Sequence, residues 1–371
     1  MRNCFFLSIA AVSAAAFVLA QPPLRVAGQA RQQAIVSPEV QADCKITFRL
    51  AAPEASDVQL SVGEWKPKTY PLAKGQDGVW SVTIGPVEPE IYMYAFLVEG
   101  VRVGDSVVEV PGTPPRFDEL QNVPHGSYTV HTYFARGQDR QRGLYIYVPP
   151  QYNTEPNRKF PVLYLWHADG SESDWISKGR TNVILDNLIA QKRAAPMIVV
   201  MPNNRVAGDT TSLGSSAVLE KELQADIIPL VEKNYRALSD RNNRAMAGLS
   251  FGGGTTFNVG MNRLDIFGYL GVFSAGVFGG STPRPGNSGY GHYEPEKIAP
   301  DIYQNLVSPA KKLKVFYMSV GTDDPRVPFQ KAALADFQQH GIEPVFKTFA
   351  GGHEWTVWRH SLADFATMLF K

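Results

Sequence analysis

Between Asn243 and Met261 the chain passes from a short apolar stretch, Ala245-Met-Ala247, through Gly248-Leu-Ser-Phe-Gly252. It then enters a small-residue helical pattern running through Thr255, Phe257, Val259 and Met261. G-x-S-x-G between a strand and a helix forces a turn so sharp that the serine takes a strained backbone. Its hydroxyl then projects from the carboxyl edge of a sheet. Residues two before and two after the serine pass too close to neighbouring backbone to carry a side chain, and glycine stands at both places. The amide of Phe251, at the positive end of the following helix, is placed to hold an oxyanion. In a chain with 32 glycines the pentapeptide alone proves little. Without a base and an acid further on, Ser250 is an exposed serine in a glycine-rich turn.

The surrounding rhythm supplies the context. From Gly143 onward, strand patterns at Leu144–Val148, Val162–Trp166, Met197–Met201, Arg244–Ala247, Tyr269–Phe273, Val315–Val320 and Val345–Phe349 alternate with helical ones. The helices are expected at Asn182–Lys192, Val218–Lys233, Thr255–Met261, Val327–His340 and Trp355–Phe370. The strands are mostly short apolar runs, as in parallel strands covered on both faces. Leu223, Ile227, Leu230 and Val231 recur at helical spacing, marking a helix packed on a sheet. The reading is a three-layer α/β sandwich with a mostly parallel sheet.

A serine hydroxyl needs a base, and the base an orienting carboxylate. In the α/β-hydrolase order these follow as serine, acid, histidine. After Val315–Val320 comes Gly321-Thr-Asp-Asp-Pro325, and after Val345–Phe349 comes Ala350-Gly-Gly-His353. Each sits at the end of a strand on the edge that would carry Ser250. Asp323 and Asp324 compete for the acid. His360, inside the last helix, and His340, at the end of another, read as packing or surface histidines.

The N-terminal part has a different texture. Residues 1–20 carry Arg2, then an apolar run ending Val18-Leu-Ala20, the form of a secretory signal peptide, and export follows as the expectation. The run is short for a membrane span, so no membrane insertion is expected. Residues 21–36 are a polar leader. Residues 37–126 hold alternating strands, Lys45–Leu50, Val58–Val62, Trp80–Ile84 and Tyr92–Val98, separated by turn residues, which argues for a small all-β sandwich of immunoglobulin type. A Pro-rich connector, Pro111 to Pro124, joins it to the α/β domain at 127–371. Net charge is +1, which gives no reason to expect a nucleic-acid partner. Cys44 is alone once Cys4 leaves with the signal, and the seven histidines show no metal-ligand spacing, so no metal or other cofactor is expected.

Five stretches together resemble the esterase-D-type carbohydrate esterases of family 1, which include feruloyl and acetylxylan esterases. They are Tyr164–Trp175, Val199–Asn203, Asp226–Tyr235, Asn243–Gly253 and Gly351-Gly-His-Glu-Trp-Thr-Val-Trp358, spread over nearly all of 143–371. The resemblance implies Ser250 as nucleophile and His353 as base, and the family's G-T-x-D pattern favours Asp324 over Asp323. It also implies a second oxyanion amide from the 168–169 loop, assigned to Asp169, although Ala168 stands where relatives carry glycine. Gly78–Pro86 and Ile91–Val103 resemble family 48 carbohydrate-binding modules, in which Trp65, Tyr70 or Trp80 would stack on sugar. Trp80, on an alternating strand, reads equally as core.

The function implied is a secreted serine esterase acting on feruloyl or acetyl groups of xylan-type polysaccharide. Trp166, Trp175 and Trp355 are then candidates to flank the acyl group, and Gly279–Tyr293 a loop over the site. Two rivals are a siderophore esterase of enterochelin type and an inactive carbohydrate-binding homologue. Oligomeric state is left open.

Overall fold

The computed structural model describes residues 35–168, 170–206, 212–278, 292–293, 295–297 and 299–371. The expected signal peptide, nearly all of the leader, Asp169 and most of the Gly279–Tyr293 loop lie outside them. Ser37–Lys371 forms one compact unit.

The chain has the α/β-hydrolase fold with an all-β region ahead of it. An eight-stranded sheet runs in the order Val345–Phe349, Val315–Gly321, Tyr269–Phe273, Arg244–Leu249, Val162–Trp166, Ile198–Pro202, Arg140–Val148, Ser127–Ala135. The first six are parallel, and the last two pair antiparallel at one edge. The apolar runs of the parallel strands are explained by coverage on both faces. In Val162–Trp166, residues 162, 164 and 166 pack with Leu223, Ile227 and Phe257, whereas 163 and 165 pack with Ile184, Leu188, Trp358 and Phe365. Alternate side chains thus enter opposite cores, and neither face tolerates a polar residue.

Some elements differ from the sequence expectation. The helix expected over Val218–Lys233 is Ser212–Glu222, then a π turn at Leu223–Ile227, then Ile228–Asn234. Pro229 has no amide to donate in that turn of helix, and the π turn adjusts the ladder beside it. The elbow helix starts at Phe251, four residues earlier than its apolar pattern suggests. Ser127–Ala135 was not expected as a strand. It lies at the sheet edge with Tyr128, Val130 and Phe134 exposed, so burial imposes no apolar pattern on it.

Residues 39–109 make two antiparallel four-stranded sheets around Phe48, Leu60, Trp80, Tyr94 and Phe96. Trp80 is buried there and donates its indole N–H to the Ala52 carbonyl at 2.9 Å, so it belongs to the core and presents no sugar platform. This sandwich is tied to the last helix, Trp355–Ala366, by buried charge. The Arg359 guanidinium, 1% exposed, pairs with Glu90 at 2.7 Å and with Asp118 at 2.8 Å. Arg116 holds the same Asp118 at 2.6 Å. Each buried carboxylate thus faces a cation, as removal from water requires.

Candidate active site

Ser250 sits at φ 52° and ψ −117°, in the positive-φ region that a non-glycine residue rarely adopts. Its amide donates to the Phe273 carbonyl of the neighbouring strand at 2.8 Å, which pins the turn to the sheet. The two flanking glycines are explained by what a methyl group would meet. A Cβ on Gly248 would lie 2.4 Å from the Gly252 carbonyl oxygen. One on Gly252 would lie 2.4 Å from the His167 carbonyl oxygen and 2.7 Å from that of Trp166. The Ser250 side chain does not cap the helix that starts at Phe251, and the Gly254 amide bonds back to the Ser250 carbonyl at 3.1 Å. The amides before it, Phe251 first, are the donors a helix start leaves without intrahelical partners.

Two later strand ends complete the arrangement. His353 Nε2 is 2.8 Å from Ser250 Oγ, and its Nδ1 is 2.7 Å from Asp324 Oδ2. The two aspartates are placed differently. Asp324 is 2% exposed and meets the imidazole, whereas Asp323 is exposed and its amide donates to the Gly351 carbonyl. The other oxygen of Asp324 accepts from the Arg326 amide at 3.0 Å and guanidinium at 3.1 Å. Burial opposes the charge of Asp324, but the hydrogen bond and charge of His353, with those of Arg326, hold its carboxyl below the ordinary value. Trp358 meets the imidazole in a T-shaped contact, ring centroids 4.9 Å apart at 87°. A close turn joins the two loops. A Cβ on Gly321 would lie 2.3 Å from the Gly352 carbonyl oxygen, and Gly351 takes φ 120°.

The remaining sequence candidates fall as follows. Trp166 and Trp175 have no exposed surface, and Trp355 has 5%. Trp175 donates to the Trp166 carbonyl at 3.0 Å and meets Trp355 edge to face at 5.2 Å. All three are buried, Trp166 in one core and Trp175 and Trp355 in the other. His167 is buried and pushed down to about 4 by that burial. Its Nε2 accepts from the Asn204 amide at 3.1 Å, so it is a neutral strut between the end of the strand Val162–Trp166 and Asn204. His360 packs on Phe117 and Phe349, and His340 stacks on Tyr303. Sequence reasoning missed Arg326, whose only signal was its place two residues after the acid, and the contact of Trp358 with the imidazole.

The arrangement of hydroxyl, imidazole and buried carboxylate is one that attacks an acyl carbon. The Esterase family model matches residues 136–368. The chain is 28% identical over 360 residues to an endo-1,4-beta-xylanase/feruloyl esterase of Xylanibacter ruminicola, covering 90% of this chain and 46% of that protein. It thus spans about half of that curated relative. A ferulic acid esterase of the anaerobic fungus Anaeromyces mucronatus matches at 25% identity and a TM-score of 0.57, over 68% of this chain and 93% of that one. An enterobactin esterase of Shigella flexneri matches at 16% identity and a TM-score of 0.59, over 87% of this chain and 92% of that one, a likeness of fold. These matches agree with the resemblance of 143–371 to the carbohydrate esterases of family 1. The chain belongs to the Esterase family.

Proposed function

We propose that this chain is a feruloyl esterase, cleaving aromatic acyl groups from plant cell-wall polysaccharide outside the cytoplasm, with Ser250, His353 and Asp324 as its triad. The observation that carries the mechanism is the unbroken hydrogen-bond chain from Ser250 Oγ through the imidazole to a buried carboxylate. Support for the acyl group comes from the names of the relatives, and for export from the form of residues 1–20.

Ser250 Oγ attacks the ester carbonyl carbon as His353 Nε2 takes its proton. Asp324 accepts from Nδ1–H, which fixes the tautomer and balances the imidazolium that forms. The oxyanion is held by the Phe251 amide, with Asp169 of the neighbouring loop as the proposed second donor. His353 then gives the proton to the leaving sugar oxygen. Water, deprotonated by the same imidazole, attacks the acyl-serine and releases the free acid and Ser250.

The test is initial rates on methyl ferulate beside acetylated xylan and a catecholate trilactone, wild type against Ser250→Ala. The reading expects preference for ferulate, abolished in the variant. Preference for acetate or trilactone would overturn the acyl assignment, and retained turnover in Ser250→Ala would overturn the site.

A further inference from the structure

The segment that carries His353 is gripped by the N-terminal sandwich. Glu64 and Trp65 lie in the turn between the strands Val58–Val62 and Lys68–Pro71. The Trp65 indole lies directly on Gly352, where a Cβ would be 2.1 Å from its Cδ1 and 2.2 Å from its Cγ. Glu64 Oε2 accepts the Trp355 amide at 2.9 Å, at the start of the last helix, where the helix dipole favours a carboxylate. Glu354 Oε1 accepts the Gly352 amide at 2.8 Å. The residues on either side of the pair His353-Glu354 are therefore bounded by side chains almost three hundred positions earlier in the sequence.

From this we infer that Glu64 and Trp65 are positioning residues for His353, which makes the sandwich a working part of the esterase site. The inference rests on the reading of His353 as the base. The physical need is strict, since a displacement of about 1 Å in a reacting group costs on the order of a hundredfold in rate. The backbone of Gly352 avoids positive φ, and all three of the nearest atoms to a Cβ there belong to the Trp65 indole. Beside the turn is a cleft of about 130 Å³ lined by Glu64, Glu90, Met93, Glu354 and Trp355. Glu64 keeps exposed surface there, yet burial of its carboxyl, helped by Glu354 and opposed by the Trp355 amide, Lys178 and Arg359, pushes it up to about 7. As pH rises through neutrality, ionisation makes Glu64 a stronger acceptor for the Trp355 amide and at the same time charges a buried carboxyl.

The experiment measures kcat and KM for p-nitrophenyl acetate, an ester too small to reach a polysaccharide-binding surface, with thermal unfolding of each full-length variant. Trp65→Ala and Glu64→Ala are expected to lower kcat at least tenfold with KM within about threefold. Glu64→Gln, which still offers an acceptor, should keep most of the activity and flatten the change in kcat around pH 7. Gly352→Ala should lose activity in the wild-type background and recover most of it when combined with Trp65→Ala, a coupling that general destabilisation does not produce. If Trp65→Ala does not fold, Trp65→Phe alone and with Gly352→Ala gives the same readout. Variants at 64 and 65 within twofold of wild type, or no recovery in the double variant, would overturn the inference. Those outcomes alongside a dead Ser250→Ala leave the proposed function standing, whereas an active Ser250→Ala removes the function itself.

Discussion

Ser250 and His353 stand 2.8 Å apart, yet the chain holds them by different means. The serine is fixed by five consecutive residues. Two glycines let backbone pass over backbone, and one amide bond to the Phe273 carbonyl closes the turn. The histidine is fixed by groups scattered over the sequence: Asp324 on its Nδ1, Trp358 at its ring, Trp65 on Gly352 and Glu64 on the Trp355 amide. A nucleophile on a steric turn is specified locally. A base on a loop depends on everything packed against that loop, including a second set of sheets.

The sharpest way to break this asymmetry is Asp324→Asn, which leaves the elbow untouched and removes the group that orients the imidazole. By comparison with triads in which that change has been made, kcat should fall by about four orders of magnitude, with the Ser250 turn intact. Steady-state rates and a crystal structure of the variant check both halves. An effect under tenfold would mean that the histidine does not need its carboxylate.

Next in size is the tie between the sandwich and the last helix. Arg359→Ala leaves Asp118 and Glu90 sharing Arg116 alone among the described residues. Breaking a buried ion pair from one side costs about 3–5 kcal/mol. Urea unfolding should show a loss of that order, and an unchanged midpoint would show that the two regions are not coupled through this cluster.

The smallest effect separates two carboxylates of opposite sign. Asp324 is held below its ordinary 3.8, so its contribution to stability is present above that value and is lost as pH falls through the lower folded one. Glu64 is raised from 4.5 to about 7, so its contribution is present below 4.5 and is lost as pH rises through about 7. Unfolding free energy measured from pH 5 to 8 should therefore drift in favour of Glu64→Gln over wild type as pH increases. A drift in the other direction would place the Glu64 carboxylate in a favourable, solvated setting.

The difference between the two regions also explains what the sequence revealed. The elbow was legible because its physics is contained in Gly248–Gly252. The acid and the base were legible as residue types at strand ends, since strands covered on both faces announce themselves as apolar runs. Asp323 and Asp324 were indistinguishable by type and separated only by the family's G-T-x-D pattern, whereas in the structure Asp324 meets the imidazole and Asp323 faces solvent. The tryptophans at 166, 175 and 355 lie beside the site in sequence but inside the core in space, because an indole at a strand end packs inward as readily as outward. The grip of Glu64 and Trp65 left no trace in the sequence, since the contact joins a turn of one sheet to a loop of another and obeys no periodicity.

The most direct test of the triad is the intact mass of the protein after brief incubation with a fluorophosphonate, followed by peptide mapping. One phosphonyl adduct on Ser250, absent in Ser250→Ala and strongly slowed in His353→Ala, is the predicted result. A folded protein that takes no adduct, or takes it on another residue, would contradict the assignment of Ser250 as the nucleophile.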